Sequence, residues 1–187
     1  MDDKQQQFLE LFEPVREKLY RFARALTKDD ELAKDLVSET VLKTYESFEK
    51  IQKKRSFKSY VFTIASRSYK KYKWRRRFFG EAEDDVYENL VQNDSSEIAY
   101  DVEVLHEAMD TLPFKQKEAI ALYEISGFSV KEVAEMQNAS LTAVKSRLKR
   151  GREKLAKLLN TKESQIDKPP IPIKREINNK YNLRIEK

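Results

Sequence analysis

The chain of 187 residues is long enough for one large or two small domains, and with hydrophobic residues at 40% and charged ones at 37% its cores are small and well solvated. Three glycines and five prolines favour helices throughout, and a net charge of +5 makes a polyanionic partner plausible. The absence of cysteine excludes disulfides, thiolate catalysis and cysteine-based metal sites, and fits a cytoplasmic location.

The N-terminal residues lack the basic and apolar regions of a signal peptide, and no apolar run approaches the length of a membrane span. Phe8, Phe12, Val15, Leu19, Phe22 and Leu26 step by four and three, the period of an amphipathic helix. Pro14 falls inside that pattern and predicts a kink or break. Thr27-Lys28-Asp29-Asp30 has the form of a capping box opening a second helix. That helix places Leu32, Leu36, Val37, Val41, Thr44 and Phe48 inward. Its other face carries Glu31, Asp35, Ser38, Glu39, Leu42 and Glu46, an acidic stripe around a leucine that suits either solvent or a protein interface.

After the basic connection Lys50 to Arg55, Ser56 can cap a third helix with Phe57, Val61 and Ile64 as core. The helix continues as SYKKYKWRRRFF, where Arg67, Lys70, Lys71, Lys73, Arg75, Arg76 and Arg77 interleave with Tyr69, Tyr72, Trp74, Phe78 and Phe79. Cations that hold a backbone beside aromatic faces that stack on bases suit single-stranded nucleic acid, against the alternative of a solvated helix end. From Gly80 the composition turns acidic without clear periodicity, and residues 80–101 read as a linker.

Helical signals return at Val104, Leu105, Ala108, Met109 and Leu112, break at Pro113, and resume with Ala119, Ile120, Leu122 and Tyr123 until Gly127. His106 has no partner motif and reads as a surface residue. Ser129 then caps a short helix, Gln137-Asn138-Ala139 breaks it, and Ser140 caps a longer one. The second helix has Leu141, Val144, Leu148, Leu155 and Leu158 on one stripe, with Gly151, and Thr142, Lys145, Ser146, Lys149 and Glu153 on the other. Two helices, a short turn and a basic outer face describe a helix-turn-helix. The plainer alternative is a helical hairpin with a solvated face. The run Lys145, Arg147, Lys149, Arg150, Arg152 and Lys154, broken only by Glu153, favours phosphate contact. Residues 161–187 are polar, basic and proline-bearing, and read as an extended tail. No glycine-rich phosphate loop or metal-spaced carboxylate cluster occurs, so no cofactor, metal or catalytic residue is expected.

Three stretches in this order resemble the extracytoplasmic-function group of bacterial sigma factors over roughly residues 8–160: AKDLVSETVLKTYESF from Ala33, SFKSYVFTIASRS from Ser56, and the segment from Leu112 through the helix-turn-helix. The resemblance implies an all-α fold: a core-binding and promoter-melting domain over residues 1–79, the acidic linker, and a helix-turn-helix domain over residues 102–160. It implies that Asp35, Glu39 and Leu42 meet core RNA polymerase, with contacts to its β′ and β subunits. It further implies that Lys53, Lys54, Arg55, Lys58, Arg67, Lys70 and Lys71 hold single-stranded −10 DNA, and that Lys131, Thr142, Lys145, Ser146, Lys149 and Arg150 meet the −35 duplex. An anti-sigma factor, and a protein partner for the tail, are the further partners to consider. The sequence departs from the family's usual residues at Ser38, Val41, Tyr60, Arg67, Lys71 and Thr142-Ala143. A stand-alone helix-turn-helix regulator is the alternative.

Overall fold

The computed structural model describes residues 3–51, 56–79 and 97–163. Among them every regular element is helical. Three long helices, α1 (Asp3–Thr27), α2 (Asp30–Glu46) and α3 (Phe57–Phe79), pack on one another, with a 3₁₀ turn at Phe48–Lys50 after α2. The C-terminal part comprises α4 (Glu97–Asp110), α5 (Phe114–Ile120), a π turn at Ala121–Ile125, α6 (Val130–Met136) and α7 (Leu141–Glu163), with α4, α5 and α6 all packed on α7.

The α1 stripe is buried as its period requires: Phe8, Phe12, Val15, Leu19, Phe22 and Leu26 all face the bundle. At its N-terminal end Phe8 gathers Tyr45, Phe48 and Phe57 edge-on, with centroids 5.2, 5.4 and 5.7 Å away. These T-shaped contacts suit the ring quadrupole and fix where the chain turns from α2 towards α3. Pro14 does not break α1, which runs through it. Glu10 and Pro14 are both exposed, so the carbonyl that loses its hydrogen bond lies on the solvent side, where water replaces the missing donor. The start of α2 also differs from the expected box: Asp29 is the cap, accepting from Leu32 N at 2.7 Å, while Thr27 bonds back to Ala23 O at 3.0 Å. A carboxylate caps the free amides of a helix start at least as well as a threonine.

Helix α2 buries Ala33, Leu36, Thr40 and Thr44, and leaves Leu32, Val37 and Val41 partly covered. The two threonine hydroxyls donate to Leu36 O at 2.6 Å and Thr40 O at 2.7 Å, which lets them sit fully buried. Helix α4 begins at Glu97, four residues before the expected end of the linker. Ile98, Val102, Leu105 and Met109 explain this, because they continue one stripe back into the acidic stretch.

The two halves are not held apart. The π turn packs on α1, and α6 packs on α3, so one hydrophobic cluster runs through both. Phe62 of α3 lies between Phe22, 5.2 Å away, and Phe128 of the C-terminal half, 4.7 Å away. Helix α3 is therefore buried on two sides, with Phe57, Val61 and Ala65 joined by Phe62, Ser66 and Tyr69. Ile64, expected as core, is only half-buried.

Candidate nucleic-acid interface

The C-terminal pair α6–α7 is fixed by its ends. Ser129 accepts from Glu132 N at 3.2 Å and its own N–H donates to Glu132 Oε2 at 2.7 Å, a complete capping box. The backbone hydrogen bond from Ser129 is the main reason the Glu132 carboxyl is held below the usual range. The turn is closed by Asn138 in the left-handed region at φ 45, and Ser140 then caps α7 by accepting from Ala143 N at 3.1 Å. Beneath the turn lies the buried Gln137, which donates to Lys115 O at 3.1 Å and Glu118 Oε2 at 2.8 Å, and accepts from Arg147 at 2.6 Å. Gly151 is buried where a Cβ would come within 3.1 Å of Ile120 Cγ1, so it lets α7 approach α5 closely.

This scaffold turns one face of α7 outward. Lys131, Thr142, Lys145, Lys149 and Arg150 are exposed and Ser146 is half-buried, while Val144, Leu148 and Leu155 are buried opposite. Leu141, expected inward, is 49% exposed at the first position of α7. The basic run divides. Arg147 points inward to Gln137, Arg152 pairs with Glu124 at 2.5 Å, and Lys154 donates to Thr111 O at 2.5 Å. Only Lys145, Lys149 and Arg150 of that run stand on the face expected to meet DNA.

The residues expected to hold an opened strand behave differently from one another. Arg67 and Lys71 are exposed on α3, which carries no acidic residue anywhere along its length. Lys58 and Lys70 are covered by the other half of the molecule: Lys58 Nζ lies 4.0 Å from the Phe128 ring centroid and Lys70 Nζ 5.0 Å from that of Phe114. Burial lowers the pKa of both. Lys53, Lys54, Arg55 and the side chain of Phe79 lie outside the described residues. On α2 the acidic stripe is outward, with Asp35, Glu39 and Leu42 exposed. Leu42 is 59% exposed, a large apolar side chain on an otherwise charged face, and Glu39 is paired with Lys43, which also reaches Ser68 Oγ at 2.9 Å.

Sequence reasoning missed the seam between the halves. There Glu118, 3% exposed, accepts from Ser66 of α3, from Gln137 and from Lys115. Lys117, 4% exposed, pairs with Asp110 and donates to Leu26 O at 2.7 Å. His106 is not the expected surface residue: burial first, then Arg24 and Lys117, holds its pKa down to about 4. The available signal was the spacing of Glu118 and Leu122, which puts a carboxylate on an apolar stripe.

Comparison with known proteins matches the chain in two blocks. The Sigma-70 region 2 family matches residues 11–78, and the family Sigma-70, region 4 matches residues 103–155. The ECF RNA polymerase sigma factor EcfG of Rhodopseudomonas palustris is 31% identical over 142 residues, 75% of this chain and 78% of that protein. The ECF RNA polymerase sigma factor SigM of Bacillus subtilis is 30% identical over 154 residues, 81% of this chain and 94% of that protein. The chain belongs to the ECF RNA polymerase sigma factors. Sigma factors bind core RNA polymerase and promoter DNA and initiate transcription. A stand-alone helix-turn-helix regulator is not favoured, since it leaves the match over residues 11–78 without a role. Among solved structures, the sigma factor RpoE in complex with the anti-sigma factor NepR, from Bartonella quintana, has a TM-score of 0.64 at 25% identity, covering 90% of this chain and 100% of that one. CnrH in complex with the cytosolic domain of CnrY shares the fold at a TM-score of 0.66 and 22% identity, covering 84% of this chain and 90% of that one. Among the described residues no helix of this sigma factor is long and apolar enough to cross a membrane.

Proposed function

We propose that this sigma factor works by binding and positioning alone, in the cytoplasm, through three separate faces, and leaves all covalent chemistry to the polymerase. Asp35, Glu39 and Leu42 of α2 contact the polymerase core, with an apolar anchor among charges that fix orientation. Arg67 and Lys71, joined by Lys58, Lys70 and the connection with Lys53, Lys54 and Arg55, hold the opened −10 strand. Thr142, Lys145, Ser146, Lys149 and Arg150 of α7 enter the −35 major groove while Lys131 of α6 takes a phosphate. The working units are residues 1–79 and 102–160, joined by the linker 80–101, with the tail 161–187 offering a further protein contact. By analogy with RpoE, an anti-sigma factor is proposed as a partner of this chain.

The observation that carries this reading is the division of exposed charge. The mainly acidic stripe of α2, where Lys43 pairs with Glu39, the acid-free face of α3 and the mainly basic face of α7, where Glu153 pairs with Lys149, are distinct surfaces with different dominant charge. DNA engagement by Lys58 and Lys70 also requires the seam to part, since both cations lie under rings of the other half. The test is capture of bacterial core polymerase by the full chain. Asp35→Lys with Glu39→Lys should weaken capture at least ten-fold without loss of helicity, because reversing charges at a close interface costs a few kcal/mol. Unchanged capture would remove α2 from the interface.

A further inference from the structure

Helix α7 offers its outward residues from the stretch 141–150, and apolar contact by itself leaves the roll of that stretch open. Val144 and Leu148 are buried beneath it, but burial of carbon resists separation without fixing an angle, because the hydrophobic effect is non-directional. Arg147 lies in the same stretch, is half-buried, and turns back into the protein, where Nη1 donates to Gln137 Oε1 at 2.6 Å. Gln137 is 6% exposed and is itself held at both ends. Its backbone N–H donates to Val133 O of α6 at 2.9 Å, and its side-chain nitrogen donates to Lys115 O at 3.1 Å and to Glu118 Oε2 at 2.8 Å. Only one orientation of the amide is allowed. Turned over, its oxygen would face two acceptors and its nitrogen a guanidinium. The amide therefore bridges a buried carboxylate on α5 to a guanidinium on α7, with a charged partner at each end.

Roll matters for reading bases and hardly at all for holding phosphates. Side-chain tips lie about 6 Å from a helix axis, so a roll of about 20° carries them about 2 Å. That exceeds the width of the hydrogen-bond range to a base edge, whereas a lysine follows a phosphate through its flexible four-carbon stem. Lys145, Ser146, Lys149 and Arg150 all stand within one turn of Arg147, so a polar anchor at Arg147 fixes the angle that packing leaves free. We propose that Gln137 is a positioning residue for −35 recognition: through Arg147 it sets the roll of α7, and with it the register of the helix on the base edges. The role rests on the −35 assignment above and adds to it a buried residue that never touches DNA.

The test uses the holoenzyme formed by the full chain with bacterial core polymerase. Duplexes are selected from a randomised pool, each shorter than the distance between the two promoter elements, and affinity is compared between an enriched duplex and a scrambled one of equal length. Gln137→Met removes the amide at similar volume. It should lower the enriched-to-scrambled ratio about five-fold or more, with affinity for the scrambled duplex and its salt slope unchanged, since Lys145, Lys149 and Arg150 remain exposed. Arg147→Met leaves Gln137 bonded to Lys115 O and Glu118 and should lower the ratio to the same extent, which decides the matter even where Gln137→Met does not fold. Arg147→Lys retains a donor and should keep more of the ratio than Arg147→Met. The double variant should lose no more than either single one, because both act through one bond. An unmoved ratio beside a lower melting temperature would make the bond structural only. Equal losses on both duplexes would make Arg147 a phosphate contact, and additive losses would separate Gln137 from Arg147. Each of these overturns the positioning role alone. A parent holoenzyme that enriches no duplex would remove the −35 reading itself, and the role with it.

Discussion

The three-helix bundle and the seam that joins it to the C-terminal half are both closed to water, yet they are built from different chemistry. In the bundle Phe8, Phe12, Leu19, Phe22 and Phe57 meet as carbon on carbon, and the buried Thr40 and Thr44 satisfy themselves within their own helix. In the seam Phe62 and Phe128 are surrounded by ionisable groups: Glu118 bonded to Ser66, Lys117 to Leu26 O, and Lys58 and Lys70 under aromatic rings. Exposing the bundle would cost its full apolar transfer energy. Hydrogen-bonded and charged groups instead regain water when they part, which offsets part of the apolar cost of exposing Phe62 and Phe128 in the seam. Under the function proposed above, Lys58 and Lys70 call for a seam that opens, beside a bundle that does not.

The largest expected effect belongs to the bundle. Phe22 is fully buried between α1 and α3, and Phe22→Ala should cost about 3–5 kcal/mol in urea denaturation, with helicity lost in parallel. A loss under about 1 kcal/mol would mean that the bundle interior is not the fixed part of the molecule.

Next is Glu118→Ala, which leaves Ser66, Lys115 and Gln137 without their shared acceptor. Unsatisfied buried donors cost roughly 1–3 kcal/mol, but here they can be relieved by opening to solvent. The expected result is a larger radius of gyration in solution scattering with helical circular dichroism retained. Loss of helicity in step with Phe22→Ala would make the seam part of the core and end the distinction.

The same distinction governs what was legible from the sequence. Helix α1, the outward stripe of α2 and the α6–α7 pair were readable because each buries one face, and a single face leaves a clean period. Helix α3 buries two, so Phe62 and Ser66 fell outside the stripe of Phe57, Val61 and Ile64, and the buried Tyr69 was grouped with the basic-aromatic run. An acidic segment between residues 80 and 101 suggested separation, and nothing in a linear pattern shows that the halves meet. Exposure of Asp35, Glu39 and Leu42 followed from period alone, whereas the covering of Lys58 and Lys70 depended on rings more than forty residues away. Arg147, Arg152 and Lys154 misled because a cation count cannot tell an outward side chain from one that ties its own domain.

A smaller effect comes with acid. Burial, Arg24 and Lys117 hold His106 down to about 4, opposed by Asp110, and Lys28 adds to the positive surroundings. The folded value lies below the unfolded one near 6.5, so both states are neutral above that pH and stability is complete there. As pH falls from 6.5 towards 4 the unfolded chain takes up a proton that the folded chain resists, and stability is lost. At pH 5.5 the loss should be about 1 kcal/mol, well above the range in which the lowered carboxyls of Asp30 and Glu132 protonate. His106→Gln should flatten the slope between pH 6.5 and 5. A slope that survives the substitution would assign the acid sensitivity to other groups.

The smallest expected change in stability is at Lys58, and it tests how the seam holds a cation proposed to meet DNA. The ammonium group gains from the Phe128 ring, a contact worth about 0.5–2 kcal/mol, yet burial disfavours its charge and Lys18 adds repulsion. These contributions oppose each other, and the aliphatic stem packs whether or not the charge is present. Lys58→Met keeps the stem and removes the ammonium group. Its stability should therefore stay within about 0.5 kcal/mol of the parent, while capture of single-stranded −10 DNA by the holoenzyme weakens measurably. A cost above about 1.5 kcal/mol would show that the cation is a structural bond of the seam. The seam would then resist the opening proposed for it, and its contrast with the bundle would narrow to the pair Glu118 and Lys117.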